Sequence, residues 1–277
     1  NKEEGETMKL PKYISTGDTL ACIAPSSGGT GAFVNRLDYA VNNIEKLGYK
    51  VIVSDNVKTN RKLVSAPAKE RAEEFMKYYL DDNISGIIPP WGGELLMEIL
   101  PYLDYELLSR SEPKWIIGFS DISTLLFSLT TKIDLYTIHG PNLMDFGTDP
   151  IHSSVLELFN IVSSLEEFTQ SSLDKYQEVW ADTKSNYKAP YNLTEEAKWK
   201  VFEGQTAEFS GVLIGGCLDV ICKLFGTPYA PVNSFIERNK DKGIIWYLES
   251  VEMTADDIYR TLWQMNELNY FKHCNGI

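Results

Sequence analysis

With 277 residues, 43% of them hydrophobic, the chain buries one large core or two moderate ones without disulfide staples, and its length favours two domains. Its 39 acidic against 26 basic residues leave a net charge of −13, which repels phosphate backbones and anionic lipid over the averaged surface, so neither nucleic acid nor membrane is an expected partner. The longest apolar runs, such as IIWYL at 244–248, are strand-sized and fall far short of the roughly 20 residues that span a bilayer.

The opening NKEEGETMKLPKY is polar and acidic, lacks the basic-then-apolar order of a secretory leader, and reads as a flexible lead-in. A strand is predicted over 19–24, followed by the loop Pro25-Ser26-Ser27-Gly28-Gly29. Phe33, Leu37, Val41 and Ile44 then recur at helical spacing, with Gly48 placed to stop the helix. Further strands are expected over 51–53, 86–89, 115–118 and 135–138, alternating with helices over 68–80, 94–100 and 122–131. Alternation of this kind is the signature of βαβ units around a parallel sheet, hence an α/β fold over residues 1–150.

From 151 to 210 the periodicity degrades into a polar stretch dotted with aromatics, which reads as a linker or lid. A second unit over 211–277 opens with a strand at 211–214 and a helix over 218–225. It continues with the turn Gly226-Thr227-Pro228, a strand over 243–248 and a helix over 255–270, where Thr254 and Asp257 form a capping-box pattern. Asn275-Gly276-Ile277 reads as the entry to another strand, so this unit is expected to be incomplete. Cys22, Cys217, Cys222 and Cys274 form no CxxC pair and fit a reducing cytoplasm.

The most informative stretch for chemistry is KWIIGFSDISTLL at 114–126. A strand ends, Gly118 permits a sharp turn, Ser120 stands at its apex and a helix follows, in outline a nucleophile elbow. Such an elbow lifts the hydroxyl out of the sheet and offers the Asp121 N–H to an oxyanion. Ile122 stands where G-x-S-x-G has its last glycine, and the bland alternative is that Ser120 or Asp121 merely caps the helix. The turn Pro89–Glu94 contains Gly92 and Gly93, which let backbone N–H groups approach a substrate closely, although paired glycines more often only make a tight turn.

Glu249 ends the strand WYLE, where open α/β sheets place their sites, with Glu252 in the following loop as competitor. Of His139, His152 and His273, only His139 lies at a strand end. The three have no metal-ligand spacing with each other or with the cysteines, so neither a metal nor another cofactor is expected.

Together GFSD, the upstream WGG, LIGGCLDVICKLFGTPY at 213–229 and WYLES at 246–250 resemble the LD-carboxypeptidase family of serine peptidases, in its microcin-immunity branch. The resemblance runs from about Leu10 to Ile277. It implies a flavodoxin-like N-terminal domain, a smaller C-terminal α/β domain and a homodimer. By position it places the nucleophile on Ser120, the triad carboxylate on Glu249, and the oxyanion donors on the Gly92-Gly93 turn and the Asp121 amide. It implies substrates that are murein tetrapeptides or peptidyl-nucleotides of the microcin type, with His139 lining the pocket and Trp180 and Trp199 as candidate nucleobase contacts. The family's catalytic histidine falls beyond residue 277, so the chain as given is expected to be nearly inactive. The alternatives are a non-catalytic peptide or nucleotide binder with a degenerate triad, and a flavodoxin-like protein using the Ser26–Gly31 loop as a phosphate cradle.

Overall fold

The computed structural model describes residues 8–164, 167–202, 204 and 206–277. Its main sheet has five parallel strands: β1 (Thr19–Cys22), β2 (Lys50–Val53), β3 (Gly86–Ile87), β4 (Trp115–Gly118) and β5 (Ile138–His139). They lie in the order β2-β1-β3-β4-β5. This is the flavodoxin-like doubly wound order, which collects the loops after β1, β3 and β4 at the carboxyl edge, beside the point where the winding reverses. Register brings Gly86 against Trp115 and Gly118 against His139, so the loops carrying Ser26, Gly92, Ser120 and His139 leave the sheet side by side.

The helices of this lobe are α1 (Ala32–Lys46), α2 (Ala68–Tyr79), α3 (Tyr105–Arg110) and α4 (Ser123–Ile133). On α1 the buried face is Arg36, Leu37, Ala40, Asn43 and Ile44, and on α2 it is Arg71, Ala72, Phe75 and Tyr79, each at the three- and four-residue spacing of a helix with one covered side. α4 differs: every residue but Lys132 is buried, as expected of a helix packed on all sides.

What covers α4 is the second lobe. After α5 (Ser153–Val162) and the two-residue antiparallel strands β6 (Lys175–Tyr176) and β7 (Glu195–Glu196), a smaller parallel sheet forms from β8 (Val212–Cys217), β9 (Ile244–Glu249) and β10 (Cys274–Gly276), in the order β10-β9-β8. Its helices are α6 (Leu218–Ile221), α7 (Val232–Arg238) and α8 (Ala255–Glu267). Leu125 and Phe127 of α4 share one continuous core with Ile214, Phe235, Trp246 and Met265 of this lobe. Gly216, at φ 135°, makes the approach possible: a Cβ there would lie 3.0 Å from the Ser123 side chain at the start of α4.

Several local expectations change. The lead-in is docked from Met8 onward, since Met8 is buried and the Lys9 N–H donates to the Asp134 carbonyl; residues 1–7 lie outside the described residues. The helix expected over 94–100 is a 3-10 turn, Leu96–Tyr102, with Pro101 inside it, because proline removes a donor from any regular α-helix. The helix over 218–225 breaks after Ile221 into a 3-10 turn, and that over 255–270 stops at Glu267. Within the aromatic stretch, α5 buries Val155, Leu158, Phe159 and Val162 on the far face of the main sheet. Among the described residues no helix is long and apolar enough to cross a membrane.

Candidate active site

Ser120 opens the turn between β4 and α4 with φ 62°, in the left-handed region that costs a non-glycine residue free energy and persists only where the surroundings hold it. Here they do. A Cβ on Gly92 would lie 2.7 Å from Ser120 Oγ, 2.8 Å from its Cβ and 3.1 Å from the Asp121 nitrogen, so the glycine backbone is pressed against the hydroxyl and against the amide beside it. Gly93 is equally confined, with φ 151° and the Ser26 and Ser27 hydroxyls where a side chain would be. The turn is pinned from outside by Trp91, whose indole N–H donates to the Ser27 carbonyl at 2.9 Å and whose ring meets Phe33 edge-on.

The expected consequence is sharp. Gly92→Ala forces a side chain onto the Ser120 hydroxyl, and any turnover that depends on that hydroxyl should fall by about 100-fold in kcat/KM, the cost of displacing reacting atoms by about 1 Å. Steady-state kinetics beside a thermal melt checks this: a normal melt with lost turnover is the predicted pairing.

Beneath the turn lie two buried charged side chains, Asp121 and Arg71. The Asp121 carboxylate, 1% exposed, accepts hydrogen bonds from Ser26 Oγ (2.5 Å), the Leu96 N–H (2.9 Å) and Thr124 Oγ1 (3.3 Å). One side chain thereby joins the loops after β1, β3 and β4. Burial raises its pKa, and the three donors and Arg71 oppose that shift. Arg71, fully buried on α2, donates to the carbonyls of Ala66, Pro25 and Leu95 and pairs with Glu98 at 2.6 Å, fastening the same loops from below. No local pattern announces either role, because each partner is distant in sequence.

Ser120, Gly92, Gly93 and Trp180 line one cavity of about 530 Å³, with Arg36 and Lys62 also on its wall. The segment bearing Trp180 is anchored nearby: Arg36 donates to the carbonyls of Tyr187 and Ala189, and Tyr191 Oη to Asp145 Oδ1 at 3.0 Å. His139 and Trp199 border a different cavity, of about 1040 Å³, together with Tyr247. The expected substrate contacts are therefore divided between two cavities, with Trp180 beside Ser120 and Trp199 and His139 apart from it.

Glu249 ends β9 opposite Cys217 in register. The Cys217 thiol donates to Asp219 Oδ2 at 3.5 Å, and His139 Nε2 lies 3.8 Å from Glu249 Oε1, a contact too long for a hydrogen bond. Burial raises the Glu249 pKa, opposed by Cys217 and reinforced by Asp219. The following loop is held by Asp219, whose carboxylate accepts the N–H groups of Val251 (3.1 Å), Glu252 (2.9 Å) and Met253 (3.0 Å). Burial works to raise the Asp219 pKa, but these donors outweigh it and bring it below the usual range. Glu252, the competing carboxylate, belongs to this loop. His152 caps α5 through the Ser154 N–H, and the His273 carbonyl accepts from Ile244 on β9.

Burial lowers the His139 pKa to about 4, so the ring is neutral at pH 7. An unfolded histidine takes its proton near 6.5. The stability that His139 contributes is thus complete above about 6.5 and is lost as pH falls toward 4, by about 2 kcal/mol between pH 7 and 5. Asp121, Asp145 and Glu249, all raised by burial, act with the opposite sign, so the effect is read as a difference. Denaturant titrations at the two pH values should show a smaller acid loss in His139→Gln than in the parent.

The model of the LD-carboxypeptidase N-terminal domain matches residues 20–140, and that of the LD-carboxypeptidase C-terminal domain matches residues 210–277. A putative carboxypeptidase of Vibrio cholerae is 31% identical over 232 residues, covering 81% of this chain and 67% of its own. The microcin C7 self-immunity protein MccF of Escherichia coli is 28% identical over 229 residues, covering 80% and 65%. The chain thus spans about two thirds of the length of these relatives. A solved structure of a mutant microcin C7 self-immunity protein in complex with adenosine monophosphate superposes with a TM-score of 0.74 at 25% identity, over 96% of this chain and 78% of that one.

Proposed function

Because this chain belongs to the LD-carboxypeptidase family, we propose that it is the Ser120-bearing part of a serine peptidase that hydrolyses an amide bond in a small peptide-like molecule through an acyl-enzyme. The observation that carries the reading is the strained Ser120, φ 62°, on the wall of a cavity with the Gly92 backbone pressed against it. A left-handed serine between a strand and a buried helix has a structural cost that a cap alone does not require.

In this reading Ser120 Oγ attacks the amide carbonyl while its proton passes to an imidazole base, and Glu249 orients that base and offsets the charge it acquires. The Asp121 N–H and an N–H of the Gly92-Gly93 turn receive the oxyanion, where fixed donors act without reorganising. The leaving amine takes the proton, water enters, and the same base delivers water to the ester. In acylation the proton goes from Ser120 through the base to the leaving amine as the C–N bond breaks; in deacylation it goes from water through the base back to Ser120 Oγ as the ester bond breaks and the acid leaves, with no metal or organic cofactor.

The cavity supports a substrate with an aromatic portion. Trp180, 74% exposed, lines the cavity that also contains Ser120. An exposed indole at a cavity mouth stacks readily on a nucleobase. The microcin-immunity relatives and the adenosine monophosphate bound by one of them favour a peptidyl-nucleotide over a murein tetrapeptide; of the two candidate nucleobase contacts, Trp180 shares the cavity of Ser120 while Trp199 borders the other, so this reading takes Trp180.

Incubating the full-length protein separately with a murein tetrapeptide and with an acyl-nucleotide carrying a peptide-like amide, and following the products by mass spectrometry, tests this. Faster cleavage of the nucleotide substrate, with the preference lost in Trp180→Ala, is expected. Cleavage of the tetrapeptide alone would reassign the branch, and cleavage of neither would overturn the peptidase reading.

A further inference from the structure

The polar chain linking the two sheets runs through a residue that does not face the Ser120 cavity. Ser123 Oγ, fully buried in the first turn of α4, accepts the Cys217 N–H at 3.1 Å and lies 3.2 Å from His139 Nδ1. The other ring nitrogen, Nε2, points toward Glu249 Oε1 at 3.8 Å. That oxygen is buried and has no hydrogen-bond partner among the described residues. A buried carboxylate oxygen left without a donor keeps its desolvation cost uncompensated, so the site gains from any N–H brought to it.

Proton placement follows from these contacts. Ser123 Oγ accepts from the Cys217 N–H and has one hydrogen of its own to place; among the described residues His139 Nδ1 is the acceptor within its reach, so the hydroxyl donates there. With Nδ1 an acceptor, a neutral ring carries its proton on Nε2, facing the carboxylate. The opposite tautomer would set the Nε2 lone pair against a carboxylate oxygen, an arrangement with no favourable term. Shortening the 3.8 Å separation by about 1 Å makes a full hydrogen bond.

We propose that His139 is a positioning residue for Glu249: Ser123 fixes its tautomer, and its Nε2–H orients the carboxylate, coupling the helix behind Ser120 to the strand that carries Glu249. The assignment rests on the acyl-transfer reading for its kinetic consequence but not for its tautomer. It also separates His139 from substrate contact, because its ring borders the cavity away from Ser120. Among the described residues the ring is faced by Ser123 Oγ, the Glu249 carboxylate, and the Tyr247 ring with its centroid 5.6 Å away.

Nitrogen-15 NMR of the histidine side chains in the full-length protein at pH 7 gives the first test. His139 should show the Nε2–H tautomer, and Ser123→Ala should shift it toward a mixture; an Nδ1–H tautomer in the parent overturns the proposal whether or not the protein turns over substrate. Kinetics give the second. His139→Phe should lower kcat by about 10- to 100-fold with KM within about twofold, and His139→Gln, which keeps an N–H donor, should recover part of the loss. A raised KM with unchanged kcat would overturn the positioning role in favour of substrate contact. Turnover that survives Ser120→Ala would instead remove the acyl-transfer reading while leaving the tautomer result intact.

Discussion

Replacing Ser120 with alanine should lower kcat/KM of the full-length protein by about 10,000-fold or more, equivalent to about 5.5 kcal/mol of transition-state stabilisation. The size follows from covalent catalysis: without the hydroxyl there is no acyl-enzyme, and only the oxyanion donors and substrate binding remain, which sustain slow hydrolysis by water. The fold should survive, and stability should not fall by much, since alanine removes one oxygen from a residue on the cavity wall and the turn is held by Asp121, Arg71 and Gly92 rather than by the Ser120 hydroxyl. Unchanged KM with collapsed kcat in progress curves is the predicted signature. A residual rate within tenfold of the parent would assign the chemistry elsewhere.

Glu249→Gln should cost about 1,000- to 10,000-fold in kcat with little change in the melt, because the substitution keeps the shape of the side chain at the end of β9 and removes its charge. An amide in that place presents its nitrogen to the imidazole as readily as its oxygen, and the base loses both its orientation and the partner for its positive charge. The neighbouring carboxylate provides the control. Glu252→Gln should turn over at nearly the parent rate, since the backbone of Glu252, through its N–H on Asp219, is what ties that residue into the loop. Comparable losses in both variants would mean that loop geometry, not the Glu249 charge, limits the reaction. Pre-steady-state acylation rates for the pair make the comparison directly.

Much of the architecture was legible because it is encoded locally. Alternating apolar runs and helical spacings place β1, α1, β2, α2 and β4 at nearly their observed positions, and the four family motifs mark the turn at Ser120, the Gly92-Gly93 turn and the end of β9. What the sequence hid depends on contacts between distant residues. α4 reads from the sequence only as a helix following β4, yet it lies between two sheets, because Gly216 lets β8 close on Ser123. The stretch 151–210 looks patternless, but α5 is held against Tyr49 by Phe159, ring on ring at 4.2 Å, across more than a hundred residues of chain. Asp121 reads as an oxyanion donor through its amide or as a helix cap; its carboxylate instead joins three loops whose adjacency exists only once the strand order is known. His139 was read as lining the substrate pocket, and only the position of Ser123 beside it and of Glu249 on the other sheet discloses the polar chain it completes.

The claim on which the rest stands is that Ser120 is a nucleophile held in a strained turn. Treating the full-length protein with a fluorophosphonate and mapping the adduct by tandem mass spectrometry interrogates it most directly. The expected result is a single phosphonylated site at Ser120, abolished by Ser120→Ala and slowed by Glu249→Gln. An adduct on any other residue, or labelling that persists in Ser120→Ala, would contradict it.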